Sequence, residues 1–273
     1  MEESKMNYEI KNNDIILEQP DFDLDETLDC GQAFRWEKIP SSHGCTYSGY
    51  FLDKPLKISQ DNGIFVFHDT TEDDFLNIWC DYFDFSTDYG KIKEILSQDE
   101  TLKKACEFAG GIRLLRQDSW ECLCSFIISQ NNNIPRIKGI ISRLCEHYGH
   151  FPTAAEMAAE TVESLGYLRS GFRAKYLVDA SGKTASGEID LNAVSKLPLE
   201  DAQKTLMQIK GVGPKVAQCV LLFGMHHTDA FPVDVWIKRV MTEYYPDELP
   251  DCTKGIEGIA QQYLFHYIRN LEK

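Results

Sequence analysis

The spacing of apolar residues changes once along this chain, near Thr71, and that change constrains the architecture more than any other feature. Between residues 33 and 68 the apolar residues fall in short runs rich in aromatic and β-branched side chains: AFRWEKI, CTYSGYFL, PLKIS and GIFVFHD. The runs are broken at Asp53-Lys54 and at Asp61-Asn62-Gly63. Such runs read as half-buried strands, and Asn-Gly marks a tight hairpin because both residues tolerate positive φ. After Thr71 the spacing becomes three and four, in EDDFLNIWCDYF, YGKIKEIL, SWECLCSFIIS, RIKGIISRLCEHYG and FRAKYLVDASG. That is the period of amphipathic helices. No low-complexity linker or internal repeat intervenes. The expected fold is therefore α+β: an N-terminal antiparallel β unit with flanking helices over 1–105, packed on a larger all-helical unit over 106–273.

Composition narrows the function classes. No apolar run approaches the ~18 residues of a membrane span, so no membrane partner is expected. The opening MEESKMNYEIKNNDI resembles neither a signal peptide nor a transit sequence. Nine cysteines are an odd number with scattered spacing, and several sit in apolar helical text where cysteine acts as a small hydrophobe. A reducing, intracellular location follows, cytoplasmic or at the nucleoid in a bacterium. No CxxC occurs, Cys122-x-Cys124 lacks a second pair, and the His147/His150 and His226/His227 pairs lack completing ligands; no metal is expected. The net charge of −15 speaks at first against a nucleic-acid partner. However, residues 110–220 carry 13 Lys and Arg against 11 Asp and Glu, so the excess acid lies elsewhere. A face built around 113–136, 173 and 210–215 can still meet phosphates, with a steep salt dependence.

The stretch LMQIKGVGPKVAQCVLLFG, 206–224, carries the chemistry. Leu206, Ile209, Gly211, Val212, Gly213 and Ala217 set two apolar helices around a glycine hairpin. Its bare backbone N–H groups, at Gly211, Val212 and Gly213 and at the start of the second helix, suit a phosphate oxygen. Pro214 fits the first helical turn, where a missing N–H costs nothing. Lys215 follows on that same turn, where the helix dipole opposes a positive charge. Nineteen residues later FPVDVWIKRV places Asp234 where a further helix begins. By themselves these residues also describe an ordinary helical turn, a surface lysine and an N-cap aspartate.

GVGPKVAQC…FPVDVW resembles the helix-hairpin-helix, Gly/Pro-rich loop and aspartate signature of the DNA glycosylase superfamily. CGQAFRW (30–36), GIRLLRQD (111–118), FIISQNNNIPRI (126–137), GFRAKY (171–176) and AQQYLF (260–265) resemble, in order, segments of the 8-oxoguanine DNA glycosylases. The resemblance spans roughly 20 to 270. It implies a helix-hairpin-helix glycosylase core, an enzyme with glycosylase and AP lyase activity, and a substrate of duplex DNA carrying 8-oxoguanine opposite cytosine. It implies a monomer without cofactor, since the four-cysteine cluster motif of endonuclease-III-like relatives is missing and only Cys252 falls in that region. An alkylpurine glycosylase would typically lack the lysine, and a non-catalytic DNA-binding module would need neither Lys215 nor Asp234.

Roles follow from the matched positions. Lys215 would attack the sugar C1′ and form a Schiff base that permits β-elimination. Desolvation and the helix N-terminus both favour the neutral amine such a step requires. Asp234 would stabilise positive charge developing on the sugar while still capping its helix. Gly31 would offer its carbonyl to the N7–H that distinguishes 8-oxoguanine from guanine. Cys219 and Phe265 would sandwich the base, and Gln261 would read its Watson–Crick edge. Asn131 would fill the gap left by the flipped nucleotide. Arg136 and Arg173 would donate to the estranged cytosine, and Phe172 would wedge the stack. Two positions depart from the eukaryotic pattern: Phe172 stands where tyrosine is common, and Trp236 where histidine is common.

Overall fold

The computed structural model describes residues 6–271. The leading Met1–Lys5 and the final 272–273 of the two expected units lie outside the described residues. Six strands form one antiparallel sheet: β1 (Tyr8–Lys11), β2 (Asp14–Glu18), β3 (Trp36–Ile39), β4 (Cys45–Phe51), β5 (Lys54–Asp61) and β6 (Ile64–His68). Their spatial order is β1-β2-β6-β5-β4-β3. Asp61 pairs with Ile64 across the two-residue turn Asn62-Gly63, whose φ values are 49° and 80°. That is the hairpin the Asn-Gly pair predicts. The first hairpin, β1–β2, lies upstream of the strand text read from sequence.

One face of the sheet is buried at every second residue: Ile15 and Leu17, Phe65 and Phe67, Leu56 and Ile58, Tyr47, Trp36. It closes on an aromatic layer of Phe75, Trp79, Tyr82, Phe83 and Phe85. Within that layer a single turn of π-helix, Phe75–Trp79, interrupts the expected helix over 72–83. Phe75 and Trp79 are both fully buried there, against the sheet.

The helix Leu24–Leu28 also packs into the sheet's core, and the helices from Tyr89 onward build a second core. At its centre Ser119–Ser129 lies against Pro214–Met225, both buried along most of their length. A Cβ on Gly224 would stand 2.7 Å from the Cβ of Cys122, so glycine sets how closely the two helices approach. The helix Glu257–Leu271 packs on Glu100–Phe108 and Val235–Glu243. The boundary expected near residue 105 falls inside Glu100–Phe108, whose Leu102, Ala105 and Cys106 belong to the helical core. Leu115 returns to the sheet's core beyond that point. The two layers are thus interleaved by the chain, not divided at 105.

Arg113, read above as part of a phosphate-binding face, is 2% exposed. Its guanidinium donates to the carbonyls of Pro20, Asp21 and Asp84 at 2.8–3.0 Å and lies 4.6 Å from the centre of the Tyr89 ring. It ties the segment after the helix Glu100–Phe108 to the loop before the helix Leu24–Leu28. A basic residue so enclosed contributes nothing to a DNA-facing surface, so the face around 113–136 must begin beyond it.

Candidate active site

The glycine hairpin forms, with one departure from expectation: the Val212 N–H is not bare but donates to the Ile209 carbonyl at 3.0 Å, and Val212 is buried. Gly211 has φ +81°, and a Cβ there would lie 2.4 Å from the ring of Tyr176. Backbone conformation and close packing therefore both require glycine. Gly213 is different: its φ is −94°, and a Cβ on it would meet nothing within 4 Å. It leaves the backbone open on the outer side of the turn. The helix Pro214–Met225 starts with no side-chain cap, whereas Asn133 and Asp234 cap their helices with side-chain oxygens. Its first amides are thus free for an anionic ligand.

Lys215 sits one residue into this helix and is exposed. The partial desolvation expected for it is therefore not supplied by the protein alone. One turn later Cys219 is 3% exposed. Burial pushes its thiol up to about 12, against the opposing charge of Lys215, so it stays a neutral, polarisable thiol.

Asp234 caps Val235–Glu243, its Oδ1 accepting from the amides of Trp236 at 3.0 Å and Ile237 at 2.9 Å. Oδ2 lies outside the cap. The loop that presents it is held by Gln218, whose Oε1 accepts from the Phe231 amide at 2.8 Å. Gln218 was not foreseen as functional; its neighbour in space is a backbone group that sequence does not reveal. Trp236 packs partly buried against the helical core.

Gly31 has φ +85° and stands between two anchored neighbours. Cys30 Sγ points to the Thr27 carbonyl at 3.2 Å. Gln32 is fully buried, donating to the carbonyls of Thr27 and Arg113 and accepting from the Leu115 amide, all at 2.8–3.0 Å. The turn is thereby fixed to both cores.

Lys215, Cys219, Asp234, Gly31, Gln261 and Phe265 all line one pocket. They come from four separate segments, and the structure brings every one of them together. Cys30, Phe126, Phe223, Pro232 and Gln262 complete the wall. Phe126 and Phe223 stack at 5.3 Å with 14° between their planes, forming an apolar floor. In sequence both read as core. A larger cavity, about 680 Å³, lies beside the helix Ile134–Tyr148, lined among others by Arg35, Glu37, Tyr50 and Lys138. It shares no residue with this pocket and holds no amine beside a carboxylate-capped helix start, so the chemistry selects the smaller one.

A second cluster holds the remaining expected residues. Asn131 is exposed with φ 47°, and Asn133 caps Ile134–Tyr148 by accepting from the Arg136 amide at 3.0 Å. The asparagine run is thus a capping turn that presents Asn131 outward. Arg136 is exposed, its Nη2 3.4 Å from the Arg169 carbonyl. Phe172 is 44% exposed and meets Tyr176 edge-on at 5.7 Å. Arg173 differs from expectation. It is 2% exposed, with its guanidinium turned onto the carbonyls of Gln130, Asn131 and Ser170 and lying over the Phe172 ring. Burial, and then the charge of Arg136, hold its pKa below the usual arginine value. As placed here it braces the Asn131 turn and the Phe172 loop, with one N–H left over from four carbonyl contacts.

Residues 14–123 match the 8-oxoguanine DNA glycosylase N-terminal domain, and residues 124–257 match the HhH-GPD superfamily of base excision DNA repair proteins. The solved structure of MBOgg1 in complex with a low-affinity DNA ligand superposes with a TM-score of 0.91 at 41% identity, covering 98% of this chain and 100% of that one. The chain belongs to the 8-oxoguanine DNA glycosylase family. A second solved member is the Clostridium acetobutylicum 8-oxoguanine glycosylase/lyase in complex with double-stranded DNA containing cytosine opposite 8-oxoG. It superposes with a TM-score of 0.88 at 36% identity, over 98% and 99% of the two chains. The N-glycosylase/DNA lyase of Saccharomyces cerevisiae is 37% identical over 158 residues, which is 50% of this chain. That match spans 42% of the yeast protein's length. The sheet-plus-helical-core architecture is that of the 8-oxoguanine glycosylase family.

Proposed function

We propose that this chain is a bifunctional glycosylase and AP lyase that removes 8-oxoguanine from duplex DNA. The observation that carries the reading is the convergence of Lys215, Asp234, Gly31, Cys219, Gln261 and Phe265 on one pocket. The hairpin Gly211-Val212-Gly213 and the uncapped amides behind it take a DNA phosphate. The Asn131 turn and the exposed Phe172 enter the duplex as the damaged nucleotide rotates out. Arg136 donates to the cytosine left behind. Arg173 supports it from beneath, with its remaining N–H available to the same base.

The flipped base slides between Cys219 and Phe265, with its N7–H toward the Gly31 carbonyl and its Watson–Crick edge toward Gln261. Seating the nucleotide covers Lys215, so the substrate itself supplies the desolvation that the free protein lacks. The Lys215 amine then donates its lone pair to C1′, and the C1′–N9 bond breaks with its electrons leaving on the base, which takes up a proton. Asp234 Oδ2 faces the positive charge that develops on the sugar. Opening of the sugar ring gives the Schiff base. Loss of a C2′ proton then expels the 3′ phosphate. The solved relatives that share this architecture, one of them bound to DNA with cytosine opposite 8-oxoguanine, support this substrate class, and the protein acts on it as a monomer.

The mass of a lesion-containing duplex after incubation tests it. The expected products are free 8-oxoguanine and a strand cut at the lesion. Base release without cutting would reduce the protein to a monofunctional glycosylase, and unchanged masses would leave only DNA binding.

A further inference from the structure

The pocket has a polar group that none of the roles above uses. Gln262 follows Gln261 on the helix Glu257–Leu271 and lines the same pocket, yet it is only 3% exposed. Its Nε2 donates to the Gln261 Oε1 at 2.7 Å. Its own Oε1 is buried and has no hydrogen-bond partner among the described residues. A buried carbonyl of this kind is unfavourable unless a ligand completes it.

Donor and acceptor counting shows what that ligand group is. A carboxamide oxygen has two acceptor positions and its nitrogen two donors. Gln261 has one acceptor position taken by Gln262, which also fixes the orientation of the Gln261 amide. What remains is one acceptor beside a donor, enough for one adjacent donor–acceptor pair on a base. The edge of a guanine-type base presents three groups in line: the O6 acceptor, the N1–H donor and the exocyclic N2–H donor. Gln261 can serve O6 and N1–H together, which leaves N2–H without an acceptor.

We propose that Gln262 is a second base-reading residue, whose Oε1 accepts a hydrogen bond from the 2-amino group of the flipped base. The two adjacent amides then present donor, acceptor, acceptor against acceptor, donor, donor. This reading rests on the pocket being the base site. It adds recognition of the 2-amino group to recognition of the oxidised C8–N7 side.

Single-turnover base release from two duplexes tests it, one carrying 8-oxoguanine and one carrying 8-oxohypoxanthine, which lacks only the 2-amino group. Wild type is expected to release 8-oxoguanine about tenfold faster, the scale of one hydrogen bond whose buried partner would otherwise go unmet. Gln262→Met keeps the length and removes the acceptor. It is expected to slow release of 8-oxoguanine toward the 8-oxohypoxanthine rate and bring the ratio close to one. Each ratio is read within one preparation, so a reduced folded fraction cancels. An unchanged ratio in Gln262→Met, even with both rates lowered, would show that Gln262 only supports the pocket and would overturn the inference. Equal wild-type rates on the two bases would overturn it without any variant. Release of neither base by wild type would instead overturn the reading of the pocket itself, and this inference with it.

Discussion

Asp234→Asn separates the two functions assigned to one side chain. In the folded protein Oδ1 accepts from the amides of Trp236 and Ile237 at 3.0 and 2.9 Å. The asparagine carbonyl can accept the same two hydrogen bonds, and asparagine caps helices about as well as aspartate. What is lost is the interaction of a negative charge with the helix start, about 0.3–1 kcal/mol. At roughly 2–4 °C per kcal/mol for a domain of this size, the melting temperature should fall by no more than about 4 °C. Asp234→Ala loses the cap as well, a further 0.5–2 kcal/mol or so, and should melt measurably lower than the asparagine variant. Catalysis should respond in the opposite proportion. In the proposed mechanism Oδ2 faces the positive charge that develops on the sugar, and removing one electrostatic partner of that kind typically lowers a rate by about 10²–10³. Single-turnover excision should therefore fall to a similar degree in both variants while their stabilities differ. Calorimetry and quenched single-turnover assays on the same preparations measure the two quantities. Near-wild-type excision by Asp234→Asn would refute the argument and leave Asp234 as a cap alone.

Three further outcomes follow from the geometry. Gly211→Ala, at φ +81° and with its Cβ 2.4 Å from the Tyr176 ring, should lower the melting temperature. Gly213→Ala, with open space around its Cβ, should keep the melting temperature but weaken binding to undamaged duplex several-fold; unchanged binding would remove this turn from the DNA interface. Arg136→Ala should lower the preference for 8-oxoguanine opposite cytosine over adenine by about ten- to a hundred-fold or less, without abolishing activity opposite cytosine. An unchanged ratio of single-turnover rates would show that Arg136 does not read that base. Glu121 pairs with Arg35 at 2.7 Å, and burial pushes its carboxyl up to about 7. Between the ordinary value of 4.5 and 7 the folded state holds a proton that the unfolded chain has released, so this group's contribution to stability is lost as pH rises toward 7. The fall in melting temperature from pH 5 to pH 8 should be smaller in Glu121→Gln than in wild type, and an equal fall in both would contradict this assignment.

Much of the fold was legible because its signals are local. Asn62-Gly63 specifies its own hairpin, and the strands beside it alternate large apolar residues. β1 was not legible: Tyr8–Lys11 is an edge strand with Ile10 half exposed, so burial imposes no alternation on it. The boundary expected near 105 falls inside the helix Glu100–Phe108, which shares its core both with the preceding helix Tyr89–Leu96 and with the helices that follow, so the packing gives no break there. In the site, Lys215 and Cys219 lie one turn apart in a single motif, and Asp234 opens the next helix. Gly31, Gln261 and Phe265 could be assigned only by resemblance, since only the tertiary fold brings them near Lys215. Charge misled at Arg113, because a basic residue reads the same whether it faces phosphate or is enclosed by carbonyls, and the burial of Arg173 is equally invisible in sequence. Gln32, Gln218 and Gln262 escaped notice for a related reason: each owes its role to a buried partner or the lack of one.

Borohydride trapping on a duplex with a single 8-oxoguanine tests the central claim most directly. Reduction fixes a Schiff base as a stable amine, so the wild-type protein should become covalently attached to DNA, with the attachment mapping to Lys215. Lys215→Gln keeps the approximate size without the nucleophilic lone pair; it should still bind the lesion duplex but give no adduct and release no base. Trapping that persists in Lys215→Gln, or maps to another amine in wild type, would contradict the account.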